Sequence, residues 1–314
     1  MDYVKAINYT GFNYHCIGEE KTKENLCLMK KCTGCNTIII VLGALQDEPF
    51  EDFLDCNHSV MPTDPELIDF IKFCKTQGLR VFLKPVIEVR NGSCRADIDF
   101  MENDEFDKEQ WLRWLANYQK FILHYAKIAE KTQCELFFVG SCLLNLVQYS
   151  EGWFDLIAQV RSCYHGLVTY EADIYNEQNV GFWEELDVIA TNGSYSMLYL
   201  KQELERLSDL AKQYKKPLML TECGCMSTKG ASISPKSWKL DGEQSLEEQV
   251  MFYENLFSNC SQVEQIVGLG LWCWNNRRQS EHTAKADKRY FIYGKPACKV
   301  IHGEWSKSSV LCIP

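Results

Sequence analysis

The chain has 314 residues, 46% of them hydrophobic, and a formal net charge of -10. That length suits one α/β barrel over residues 1–314, with a core large enough to hold without staples. The acidic balance argues against nucleic acid and anionic membrane as partners, and no apolar run, Thr37 to Leu45 included, is long enough to cross a bilayer.

In chain order, Val4 to Phe12 reads as a first strand and Glu24 to Lys31 as a helix that stops at Cys32-Thr33-Gly34-Cys35. Thr37 to Leu42 is a continuous β-branched run, as a doubly covered parallel sheet requires. Thr63-Asp64-Pro65-Glu66 opens a helix, with Thr63 or Asp64 as cap and Pro65 in the first turn. Gly78 ends it. Arg80 to Pro85 is the third strand, followed by a long loop from Val86 to Asp107, and loops that long in compact domains are usually functional.

Lys108 to Lys131 is the longest helix. Its face of Trp111, Trp114, Leu115, Tyr118, Phe121, Ile122 and Tyr125 follows the helical period and reads as core. Further strands follow at Cys134–Gly140, Gly166–Tyr170, Val188–Thr191, Pro217–Glu222 and Val267–Trp274. Helices at Trp153–Tyr164, Phe182–Leu186, Tyr199–Tyr214 and Leu246–Asn259 lie between them. Strand and helix alternate without a composition break, which makes this α/β, a single (β/α)8 TIM barrel.

All loops after the strands of such a barrel face one mouth, and chemistry gathers there. The side chains that would converge are Lys84, Glu88 and Arg95 after the third strand and Ser141 and Cys142 after the fourth. Glu171, Asp173 and Tyr175 follow the fifth, Asn192 and Tyr195 the sixth, Glu222 ends the seventh, and Trp272 and Trp274 the eighth. Carboxylates, amides and indoles without His or Cys at metal spacing make a sugar site: indole faces stack on pyranose rings, and polar groups take the hydroxyls. No metal or cofactor is expected.

An ordered set of segments supports that reading. Leu83-Lys84-Pro85, Phe138-Val139-Gly140, the helix Trp153 to Arg161, Thr169-Tyr170, Thr221-Glu222-Cys223-Gly224-Cys225-Met226-Ser227, Pro235-Lys236-Ser237-Trp238 and Leu271-Trp272-Cys273-Trp274 together resemble glycoside hydrolase family 113 along nearly the whole chain. The resemblance implies retaining β-mannanase chemistry, in which a nucleophile and an acid/base carboxyl stand about 5–5.5 Å apart. It makes Glu222 the nucleophile and Tyr195 the tyrosine that holds it, and it matches Lys84 and Trp274 to family positions. The acid/base does not carry over: the family has Glu two residues after the strand-four glycine, and here stands Gly140-Ser141-Cys142. Ser194 and Ser196 replace Tyr and Pro, and Cys273 an Asp.

A thiol with an ordinary pKa near 8.5 is a poor proton donor to a glycosidic oxygen. Glu171 or Asp173 could reach the leaving oxygen instead, Cys142 could be a nucleophile given a nearby base, or Cys142 is an inert buried thiol. Two functions follow. One is a retaining glycosidase acting on β-1,4-linked mannan-type oligosaccharides, with Lys84, Glu88, Arg95, Glu171, Asp173 and Asn192 as substrate contacts and Trp272 or Trp274 as the platform. The other is a catalytically silent carbohydrate-binding or interaction protein on the same fold.

Sixteen cysteines raise the question of compartment. Several sit inside apolar segments (Cys74, Cys134, Cys163, Cys273), and Met1 to Lys5 lacks the pattern of a signal peptide, so a cytoplasmic chain with free thiols is expected; a leader removed earlier would make it secreted. Cys32-Thr33-Gly34-Cys35 lacks the second pair a zinc site needs and reads as structural. The Asn-X-Ser/Thr sequons at Asn8 and Asn192 fall on strands, poor places for a glycan.

Overall fold

The computed structural model describes residues 2–10, 16–56, 58, 61–102, 105–277 and 279–307. Eight parallel strands close into a barrel: β1 (Val4–Thr10), β2 (Thr37–Gln46), β3 (Arg80–Val89), β4 (Leu136–Ser141), β5 (Leu167–Ala172), β6 (Val188–Thr191), β7 (Leu218–Cys223) and β8 (Ile266–Asn275). Each pairs with its sequence neighbours, and β8 pairs with β1 to close the ring. The outer layer is α1 (Glu20–Thr33), α2 (Asp64–Thr76), α3 (Lys108–Thr132), α4 (Ser150–Cys163), α5 (Leu200–Tyr214), α6 (Leu246–Cys260), α7 (Glu281–Ala286) and α8 (Pro296–Lys307).

Local sequence explains the helix ends. Thr63 caps α2 in a reciprocal box with Glu66, and Pro65 sits in the first turn where its missing N–H costs nothing. α1 begins four residues earlier than its apolar period, and runs through Thr33 until Gly34 takes a left-handed φ of 72°. The aromatic face of α3 is buried as its period requires, and Tyr118 on that face donates to the Val139 carbonyl of β4 at 2.9 Å. Between β5 and β6 the expected helix contracts to one 3₁₀ turn, Trp183–Glu185.

Strand alternation fills the barrel interior. Val4, Ala6, Ile39, Val41, Phe82, Val86, Leu136, Phe138, Val188, Ala190 and Met219 form one apolar cluster inside the ring. Lys84 lies on β3 between Phe82 and Val86, so the pleat points it inward too. β2 and β3 pair over ten residues in unbroken register, which carries β3 on to Val89. The long loop expected from Val86 thus begins later, and it holds a 3₁₀ turn at Arg95–Asp97 and a short hairpin of 101–102 with 105–106. The first strand ends at Thr10; Phe12 lies outside the described residues.

Fourteen cysteines, from Cys27 to Cys298, are free thiols. Cys35 is buried, and Cys298 on α8 meets the Cys32 carbonyl at 3.5 Å, so this motif joins α1 to α8. Asn8 and Asn192 are buried. Among the described residues no helix is long and apolar enough to cross a membrane, and no group of His, Cys, Asp and Glu could hold a metal ion.

Candidate active site

The site is built where three strands carry an extra residue. Opposite the two-residue step Thr169 to Glu171 on β5, β4 takes three residues, Phe138 to Ser141. This bulge resets the pleat. A Cβ on Gly140 would strike Tyr170 and Trp153 outside the ring, whereas Ser141 turns inward and donates to Glu171 Oε2. β7 gains a residue against β8 between Leu220 and Cys223, and Thr221 and Glu222 both reach the interior groups.

Those groups centre on Lys84. Its ammonium, fully buried, donates to both oxygens of Glu171 at 2.9 and 2.8 Å and to Glu222 Oε1. Thr221 Oγ1 adds a 2.6 Å bond to Glu171 Oε1. Asn192 Nδ2 donates to Glu222 Oε2 at 2.8 Å, and Ser194 Oγ donates to the Glu222 carbonyl at 2.8 Å. Burial disfavours both carboxylates, yet Lys84 and two hydroxyl donors hold Glu171 below the usual range. Glu222 is pushed up, by burial first and then by the charge of Glu171, with Lys84 and Arg95 opposing. Burial works against charge on Lys84 as well, but its two carboxylates keep it protonated.

A cleft of about 130 Å³ opens above Glu222, lined by Cys94, Arg95, Cys142, Asp173, Asn192, Ser194, Pro235, Lys236, Trp238, Trp272 and Tyr290. Cys142 takes a left-handed φ of 51°, and its N–H donates to the Glu171 carbonyl at 2.8 Å. Burial, then Glu171, Asp173 and Glu222, push its thiol well above the ordinary range, so it stays neutral. Arg95 meets Ser141 at 3.3 Å and Glu88 at 2.6 Å. Lys236 binds Asp173 Oδ1. A larger hollow of about 650 Å³ lies against α2 and α3 and shares no lining residue with this cleft.

Of the residues expected at the mouth, Lys84, Arg95, Cys142, Glu171, Asp173, Asn192, Trp272 and Glu222 gather here. Glu171 lies beneath the cleft, sealed by four hydrogen bonds from Lys84, Ser141 and Thr221, and is no open substrate contact. Glu88 stands half exposed at the rim and holds Arg95.

Two expectations are corrected. Tyr195 does not hold Glu222. It points out of the barrel, where its hydroxyl donates to the buried carboxylate of Glu177 and meets Thr191 at 3.2 Å. Arg206 bonds the other Glu177 oxygen at 2.9 Å. Asn192, one pleat inward, has the place expected for the tyrosine. Trp274 is no sugar platform: against Ile7 to Tyr9 of β1, β8 spends three residues from Leu271 to Trp274. This bulge turns Trp274 outward, onto Tyr293 and the Asn25 side chain. Trp272 stays in the cleft with its indole N–H buried and, among the described residues, without an acceptor.

Sequence reasoning also missed Lys236 and Trp238 as site residues. Trp238 is 63% exposed and packs on Tyr290 at 4.4 Å. Both sit on an irregular segment without period; the Pro235-Lys236-Ser237-Trp238 stretch itself was the available signal.

The model of Glycoside Hydrolase Family 113 matches residues 13–295. The chain belongs to glycoside hydrolase family 113. A solved family 113 β-1,4-mannanase in complex is 37% identical, with a TM-score of 0.94 over 98% of this chain and 99% of its own. The family 113 β-mannanase AaManA from Alicyclobacillus acidocaldarius, in complex with ManMIm, is 28% identical, with a TM-score of 0.92 over 98% of each chain. A β-glucuronidase from Faecalibacterium prausnitzii, at 14% identity and a TM-score of 0.63 over 99% of this chain and 49% of its own, shares the fold alone. No curated protein matches the chain.

Proposed function

We propose that this family 113 chain is a retaining β-glycosidase for β-1,4-linked mannan-type oligosaccharides, with Glu222 as nucleophile. One observation carries the reading: Glu222 is gripped on one oxygen by Lys84 and on the other by Asn192, at the floor of the cleft. Such a grip aims a carboxylate, and a near-attack geometry supplies much of the rate of a covalent step. The solved family 113 mannanases support the sugar. Trp272 and Trp238 offer faces for a pyranose. Cys142 stands where the family resemblance puts the acid/base, and a neutral buried thiol does not fill that role. The free thiols support a reducing compartment.

The test is covalent trapping. Incubation with 2,4-dinitrophenyl 2-deoxy-2-fluoro-β-mannoside should add one fluorosugar to the peptide that contains Glu222, seen by mass spectrometry, and Glu222→Gln should abolish it. Absence of any adduct, with mannobiose binding retained in calorimetry, would replace this reading by the silent sugar-binding one, which the thiol at position 142 favours.

A further inference from the structure

We infer that Asp173, at the carboxyl end of β5, is the proton donor and acceptor that position 142 does not supply. This rests on Glu222 as the nucleophile. It adds a catalytic residue on a different strand from the one the family resemblance indicates.

The argument is by access. Two carboxylates are among the described residues that line the cleft, Glu222 and Asp173. Glu171 is fully buried under Lys84, Ser141 and Thr221 and has no path to a leaving group. Glu88 lies outside the cleft, engaged with Arg95. Asp173 shares the inward face of β5 with Glu171, two residues further toward the mouth. β5 is the neighbour of β4, so Asp173 stands beside Cys142, and the thiol feels its charge. A cysteine has one heavy atom beyond Cβ and leaves open the space a glutamate would fill.

The orientation of Asp173 fits the role. Its Oδ1 is fixed by the Ile174 N–H at 2.9 Å and by Lys236. Among the described residues no donor meets Oδ2. Among the described residues it is the one carboxylate oxygen in the cleft without a protein partner, since both oxygens of Glu222 are engaged.

The chemistry balances with these two groups and water. Glu222 attacks the anomeric carbon, and the bond to the leaving oxygen breaks with its electron pair. Protonated Asp173 gives that oxygen its proton, and the alcohol departs. Asp173, now a carboxylate, takes a proton from a water whose oxygen bonds to the anomeric carbon, and the bond to Glu222 breaks.

The experiment compares phenyl and 2,4-dinitrophenyl β-mannosides on the native chain, Asp173→Asn, and Asp173→Asn with Cys142→Glu, each with and without azide, after thermal melts establish folding. Asp173→Asn should cut phenyl mannoside turnover by roughly 10²–10⁴-fold and spare trapping by the activated fluorosugar. Azide should accelerate dinitrophenyl turnover in Asp173→Asn and leave the native chain unmoved. Adding Cys142→Glu should restore phenyl mannoside turnover, and the azide response of the native chain reads the same question if Asp173→Asn does not fold. Two results overturn the inference while Glu222 still traps: phenyl turnover indifferent to Asp173→Asn, or native turnover that azide already accelerates. Loss of trapping on Glu222 in the native chain would instead sink the reading beneath it.

Discussion

Replacing Lys84 with Met tests the electrostatic centre of the site, because the apolar stem is kept and only the ammonium is deleted. Three bonds vanish at once: two to Glu171 and one to Glu222. Glu171 keeps Ser141 and Thr221, Glu222 keeps Asn192, and two carboxylates then face each other without a cation between them. Removing one partner of a buried ion pair costs about 3–5 kcal/mol, and at about 2 °C per kcal/mol for a chain of this size the melting temperature should fall by roughly 6–10 °C. The pH dependence is the sharper readout. In the native chain the depressed Glu171 gives stability that is present at neutral pH and lost as pH falls. Without Lys84 both carboxylates are raised, so the variant gains stability as pH falls. The gap between native and Lys84→Met should therefore be widest near pH 8 and narrow toward pH 5, in urea melts at each pH. Adding Glu171→Gln should recover part of the loss at pH 8, since a neutral amide no longer repels Glu222. A gap below about 1 kcal/mol, small for a buried pair, or one equal at both pH values, would refute the account.

Three further outcomes follow from the same contacts. Cys142, buried and held neutral by its surroundings, should resist iodoacetamide at pH 8 while exposed Cys27 and Cys94 react, as peptide mass spectrometry would show; alkylation of Cys142 alongside them would contradict its burial. Tyr195→Phe should cost about 1–3 kcal/mol, by stripping a donor from buried Glu177, yet leave fluorosugar trapping on Glu222 intact; loss of trapping in a folded variant would return Tyr195 to the nucleophile. Lys295 is buried between Ser227 and the Arg289 carbonyl, and burial lowers it to about 8. Its folded pKa lies below the unfolded value, so the unfolded chain binds the extra proton and stability should rise with pH from about 8 to about 10, by on the order of 3 kcal/mol. Lys295→Met should flatten that rise in urea melts across this range, and an unchanged rise would assign it to other groups.

The barrel was legible because its signals are periodic. Thr37 to Leu42 could only be a strand covered on both faces, the α3 aromatics could only be one helix face, and strict alternation of the two patterns leaves few topologies. Glu222 was legible for the same reason, as a carboxylate ending a short apolar run. The role of Lys84 was half legible. The pleat of β3 turns it inward between Phe82 and Val86, but no spacing says that it bridges Glu171 and Glu222 instead of meeting a sugar. Lys236 and Trp238 were not legible as site residues, since an irregular segment carries no period from which to read direction.

The side chains at the ends of β4, β7 and β8 take their directions from one physical cause. Trp272 and Trp274 stand two apart, as do Gly140 and Cys142, and in a regular strand each pair would face one side. The structure inserts one extra residue near the carboxyl ends of β4, β7 and β8, and a single inserted residue reverses which side every later side chain faces. In β4 the reversal brings Ser141 under Glu171 and leaves the thiol of Cys142 at the cleft wall. In β7 it lets adjacent Thr221 and Glu222 both reach the Glu171–Lys84 pair. In β8 it keeps Trp272 and expels Trp274. No residue type marks these insertions, because a bulge is set by the neighbouring strand's register as much as by its own sequence. β5 takes no extra residue in its pairings with β4 and β6, so its alternation runs unbroken from Thr169 through Glu171 to Asp173. That continuity puts a second carboxylate at the mouth, next to the strand that lacks one.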